Sequence, residues 1–177
     1  MVADGPARER QHPTGTDAGR RGPPWHVTDR QISATPRHLQ ADELLAYWRT
    51  KAPPDGLPRR VDIVAAEIPR LLPSLCIAEP VDDGGDWRFR LVGTSLAMRY
   101  NFDWTGRRVS ELSQRDVADS IIALFHRLAQ ERAPGFVTAS VRVPSNPHML
   151  VYEAAVLPII GRDGSTVWML AGLFFFN

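Results

Sequence analysis

The chain carries a single cysteine, Cys76, so no internal disulfide can form and its stability needs no oxidising compartment. Nowhere does it reach the ~18 consecutive apolar residues of a membrane helix; the stretch from Thr166 to Phe176 is too short. Arg20-Arg21 is followed by Gly22-Pro23-Pro24-Trp25-His26 where an export signal has its apolar segment, so a cytoplasmic location is expected. Neither charge sign dominates. Lys plus Arg number 21 against 20 Asp plus Glu, a net charge of +1, without the basic excess of a dedicated nucleic-acid binder. Lysine is nearly absent, Lys51 being the only one, which reads as a coding bias and carries no function. The patterns G-x-S-x-G, G-x-x-x-x-G-K-S/T and G-x-G-x-x-G are missing, and His12, His26, His38, His126 and His148 fall at no metal-ligand spacing. A length of 177 residues leaves room for one domain, which argues against a multidomain enzyme.

What remains is the composition of a folded protein, 44% hydrophobic and 23% charged. Its foldable part is unevenly spread. Residues 1–36 hold five of the 15 prolines and four of the 13 glycines and show neither helical nor strand periodicity. Such a segment cannot offset its ordering entropy by burial, so a disordered or flexible tail is expected, with an overlong gene start or a partner-binding arm as alternatives. Residues 37–177 are expected to form a single domain. At its start, Ala41, Leu44, Leu45 and Trp48 fall at helical spacing, with acidic residues early and basic ones late. An amphipathic N-terminal helix over 38–51 follows, ended by Pro53-Pro54. Asp62 is placed to cap a short helix to about Glu67.

Strands are expected at Leu75–Glu79 and Trp87–Val92, joined as an antiparallel hairpin by the turn-rich stretch Val81 to Gly85. A short helix from Thr94 or Ser95 to Tyr100 and a long one from Asp116 to Glu131 come next. Strands at Phe136–Val143, Leu150–Ile160 and Ser165–Phe176 complete the pattern, the last two joined through Gly161-Arg162-Asp163-Gly164. Strand groups with tight turns, separated by helices, describe an α+β fold: a five-stranded antiparallel sheet with helices on one face, plus the N-terminal helix. The last strand is apolar on both faces and therefore covered on both. The long helix supplies one cover; the 38–50 helix, a second copy of the chain, or both supply the other.

Three blocks carry more than periodicity. They are Leu57-Pro58-Arg59-Arg60-Val61-Asp62 running to Ile68-Pro69 and Leu72-Pro73; Phe89-Arg90-Leu91-Val92-Gly93-Thr94 running to Asp103-Trp104-Thr105-Gly106-Arg107; and Val156-Leu157-Pro158 running to Gly164, Leu170 and Gly172. In this order they resemble the PAS_5 group of PAS-like domains, found in proteobacterial single-domain proteins, over roughly residues 40 to 176. Val64-Ala65 departs from the Asp-Pro more common there. The residues also have a reading of their own. Gly93 stands where a strand turns into a helix, Gly106 is suited to a positive φ, and Thr94 or Ser95 can cap the new helix.

The resemblance implies a non-enzymatic bacterial signalling module, a small-ligand sensor or a protein-interaction adaptor, acting through a separate signalling protein. It also implies a homodimer formed through the N-terminal helix, with Leu44, Leu45 and Trp48, and the outer sheet face. Tyr100, Trp104, Phe125 and Trp168 are the candidate lining of a ligand pocket, with Arg90 and Arg108 as candidate anchors for an anion; the same aromatics would equally serve as packing. Neither haem nor flavin is expected, because His126 falls on the polar side of its helix and Cys76 lies in a strand-like run. No metal, nucleic acid or membrane insertion is expected either. Two alternatives stay open: a ligand-free structural dimerisation module, and a small-cavity isomerase or dehydratase. The second would use Glu153, the one carboxylate inside an apolar strand, although a pairing of Glu153 with Arg90 or Arg142 across the sheet is the simpler account and the one expected.

Overall fold

A computed structural model of the chain describes residues 26–142, 146 and 148–176. Six strands build one antiparallel sheet: β1 (His26–Ser33), β2 (Leu75–Val81), β3 (Asp86–Val92), β4 (Gly135–Arg142), β5 (Leu150–Ile160) and β6 (Val167–Phe175), in the spatial order β1-β4-β5-β6-β2-β3. The α+β class stands, but the strand number is six where the sequence suggests five. The additional strand, β1, lies inside the segment read as a tail, pairs with β4 from His26↔Arg142 to Ser33↔Phe136, and buries Val27 in the core. Residues 1–25, the part of that segment before β1, and Val143, the expected end of β4, lie outside the described residues.

A β-bulge explains why alternation hides β1. Between the pairs Thr28↔Ser140 and Gln31↔Thr138, β1 advances one residue more than β4, and Asp29 takes a φ of 53°. Val27 and Ile32, five residues apart, thereby come to the same face, which a strict period of two forbids.

Helix α1 (Leu39–Lys51) matches the expected helix, with His38 as its N-cap: the ring accepts a hydrogen bond from the Gln40 N–H at 3.1 Å. Its apolar stripe of Ala41, Leu44, Leu45 and Trp48 is buried against Phe136, Leu157, Ile159, Leu170 and Phe174 of the sheet. The Trp48 Nε1–H donates to the Pro158 carbonyl at 2.8 Å. A Cβ on Gly172 would lie 2.5 Å from the Phe174 ring and 3.0 Å from Leu44, so the absence of a side chain there lets the two seat together. The second face of β6 is thus covered by the chain's own α1. Leu44, Leu45 and Trp48, expected to meet a partner, are buried within the molecule, and a partner could reach them only by undocking α1.

Between α1 and β2 the chain makes short 3₁₀ turns at Arg60–Asp62, Ala65–Glu67 and Leu72–Ser74 instead of one helix capped by Asp62. Asp62 ends the first turn and accepts from the Arg59 N–H at 3.1 Å. Over the opposite face of the sheet lie α2 (Thr94–Tyr100) and α3 (Arg115–Glu131). The cap of α2 is Gly93 itself rather than Thr94 or Ser95, and its φ is ordinary. A Cβ there would stand 2.3 Å from the Pro73 carbonyl oxygen, so close backbone approach is what demands glycine. α3 turns Val117, Ala118, Phe125 and Leu128 inward and stops at Arg132, which adopts a left-handed conformation.

Candidate functional site

Strand register builds the floor of a cavity between the sheet and α3. One row across the sheet consists of Val156, Ala171, Cys76 and Val92; the next consists of Ile32, Val137, Ala154 and Leu173. Cys76, Ala154 and Ala171 are short. Over them Ile121, Leu124 and Phe125 of α3, with Tyr100 of α2 and Trp104 of the following loop, leave a cavity of about 290 Å³ unfilled. Protein interiors rarely contain voids much larger than a water molecule, so this space departs from the close packing of the rest of the core. It falls at the lower end of ligand-pocket volumes.

Most of the lining is apolar; its polar side chains are Cys76, Tyr100, Tyr152, Ser120 and Arg30. Burial pushes the Cys76 thiol up to about 12. It does the same to the Tyr152 hydroxyl, which also reaches about 12 against a small opposing pull from Arg30. Tyr100 is raised as well, again chiefly by burial. At neutral pH the cavity therefore offers neither thiolate nor phenolate. Among the described lining residues the one charged side chain is Arg30 of β1, whose Nη2 lies 3.3 Å from Asp116 Oδ2 at the start of α3.

Of the residues singled out from sequence, the cavity brings together Tyr100, Trp104 and Phe125, and leaves out Trp168, Arg90 and Arg108. Even-numbered residues of β6 face α1, and Trp168 packs on that side over Gly161, where a Cβ would stand 2.4 Å from its Nε1. Arg90 is the extra residue of a bulge in β3: Ile77↔Leu91 is followed by Ala78↔Phe89. Its guanidinium points to Glu79, 3.7 Å away. Arg108 is ion-paired with Asp82 and lies 3.9 Å from Asp86. His126 hydrogen-bonds the Gly84 carbonyl and lies outside the lining.

Glu153 is paired with neither Arg90 nor Arg142. It is fully buried on the α1 face, where its carboxylate accepts from the Arg37 N–H at 2.9 and 3.0 Å and from the His38 N–H at 2.7 Å. A carboxylate at this position satisfies amides that the helix start leaves without intrahelical partners and complements the positive end of its dipole. Among the described residues no three His, Cys, Asp or Glu side chains come together as a metal site, and no helix is long and apolar enough to cross a membrane.

Arg30, Val27 and Ile32 escape sequence reasoning because the bulge breaks their alternation. Cys76 escapes as a lining residue because a lone small residue in an apolar strand gives no sign of what faces it. A better signal lies in Ala154 and Ala171, short residues on strands otherwise rich in Leu, Val and Phe.

An antiparallel sheet with short helices over one face and a cavity beneath them is the architecture of a PAS-like domain. The family model PAS_5, a PAS domain, matches residues 37–174, and the chain belongs to that family of sensor- and signalling-type domains. No curated protein matches the sequence. The match begins after β1, so the three lining residues of β1 come from outside it.

Proposed function

We propose that the domain is a non-enzymatic sensor that holds a small, mainly apolar ligand between its sheet and α2 and α3, and passes its occupancy to a signalling partner. The observation that carries this reading is the cavity of about 290 Å³, floored by two register-aligned rows of short and branched side chains. Membership of the PAS family supports it. A non-catalytic role is supported by the lining, which among the described residues contains no Asp, Glu or His. Glu153, the acid an isomerase or dehydratase would need, faces away from the cavity and binds backbone amides.

The test is to fill the floor. Ala171→Phe places a ring in the cavity, and the variant and wild type are purified from the native host and weighed by native mass spectrometry. Wild type should carry a bound small molecule that the folded variant lacks. An empty wild type, showing no thermal shift with a panel of apolar compounds, overturns the proposal.

A further inference from the structure

The bulge in β1 decides which side chain faces the cavity. A regular strand with Val27 inward would also turn Asp29 inward and Arg30 out. The extra residue and the positive φ at Asp29 reverse this, so that Arg30 and Ile32 join Val27 in the lining. A non-glycine residue at positive φ is strained, and bulges beside binding sites commonly re-aim a side chain. The outcome is a mainly apolar cavity whose one charged side chain is Arg30, with no acidic side chain in the described lining to neutralise it.

Asp116 does not satisfy that cation fully. Its carboxylate meets Arg30 Nη2 at 3.3 Å and its carbonyl meets Nη1 at 3.5 Å, both long contacts, and the Asp116 side chain is 61% exposed to water. A guanidinium offers five donors in a planar fork, so this one can still bind a carboxylate in the bidentate manner. At about 30 Å³ per heavy atom, the volume that liquid water assigns to one molecule, the cavity accommodates on the order of ten heavy atoms.

We infer that the cavity binds a monoanionic amphiphile of medium chain length, a carboxylate held by Arg30 at the β1–α3 mouth with its hydrocarbon chain lying over the two floor rows. This rests on the cavity being a ligand site, the reading proposed above.

Octanoate and octanol, matched in length and differing in charge, serve as test ligands in isothermal titration of the whole chain, below the micelle concentration of octanoate and the solubility limit of octanol. Octanoate should bind wild type about tenfold or more tighter than octanol, the factor expected of one charge-assisted bond. Arg30→Gln should remove that advantage and leave octanol within about twofold. Asp116→Asn removes the carboxylate charge opposite Arg30, weakening the contact between β1 and α3 but keeping the arginine, so it should retain or strengthen octanoate binding. Equal affinities for the two ligands, unaffected by Arg30→Gln, overturn the anion assignment while the cavity reading survives. Loss of octanoate binding in Asp116→Asn as well overturns it too, because Arg30 would then act only by holding β1. If wild type binds neither ligand, the cavity reading itself fails.

Discussion

Replacing Glu153 with leucine would fill the same space and remove all three of its hydrogen bonds. In wild type the Oε2 atom stands 2.7 Å from the His38 nitrogen and 2.9 Å from the Arg37 nitrogen. Hydrogen bonds to charged groups contribute about 1.5–3 kcal/mol each, and each amide left without a partner costs about 1–3 kcal/mol. Against this stands the relief of no longer dehydrating a carboxylate. The net loss should be about 2–4 kcal/mol, which at a urea dependence of roughly 1–3 kcal/mol per molar lowers the unfolding midpoint by about 1–2 M. Glu153→Gln is milder, because one amide oxygen in the Oε2 position still accepts from both nitrogens; about 1 kcal/mol of charge assistance is lost. Hydrogen exchange locates the damage. The Ala41 and Asp42 amides, which bond to the His38 carbonyl, should exchange faster in Glu153→Leu before the rest of the sheet does. A Glu153→Leu midpoint within about 0.2 M of wild type, with those amides unchanged, would refute the clamp.

Trp48→Ala should cost about 3–5 kcal/mol, since it empties a buried aromatic site. Trp48→Phe, which keeps a ring but loses the bond to Pro158, should cost about 1 kcal/mol beyond the change in packing. Both are read by urea denaturation, and an alanine variant as stable as wild type would mean that α1 is not docked on the sheet. Cys76 predicts an alkaline effect: the buried thiol keeps its proton up to about 12, whereas in the unfolded chain it releases it near its ordinary 9.0. The folded state then binds more protons, so stability falls as pH rises through that window, by at most about 1.4 kcal/mol per pH unit from this group. Denaturation midpoints of Cys76→Ala should fall less steeply than wild type between about pH 9 and 10, the tyrosines contributing equally to both. Parallel slopes would contradict the thiol's burial.

The strands from β2 to β6 and all three α-helices are legible in the sequence because their apolar residues form clear runs, which the single bulge in β3 does not hide. The bulge at Asp29 hides β1, and the one in β3 brings Val92 to the face of Trp87 and Phe89, from which alternation already turns Arg90 away to Glu79. Trp168 shows a different limit. With apolar residues on both faces of β6, alternation separates Trp168 from Met169 but cannot say which set lies under α3. Tyr100, Trp104 and Phe125 are legible as cavity residues because they fall on or beside the helices that any cover of this sheet must use. The partners of Glu153 are backbone amides, which carry no residue-type signature, and so a side-chain partner is the natural but mistaken expectation.

The sheet order has a consequence for how the chain is made. Leu75 pairs with Gly172 and Ala78 with Met169, so the hairpin of β2 and β3 can join the sheet only after β6 has left the ribosome. Through most of translation β2 carries an open edge, and the apolar stripe of α1, already synthesised, has no β5 or β6 to lie against. Such long-range closure is slow, with folding in the range of milliseconds to seconds, and leaves nascent apolar surface uncovered meanwhile. The last strand of the domain to emerge completes the middle of the sheet, so its two halves become a single cooperative unit only once β6 has been made rather than progressively.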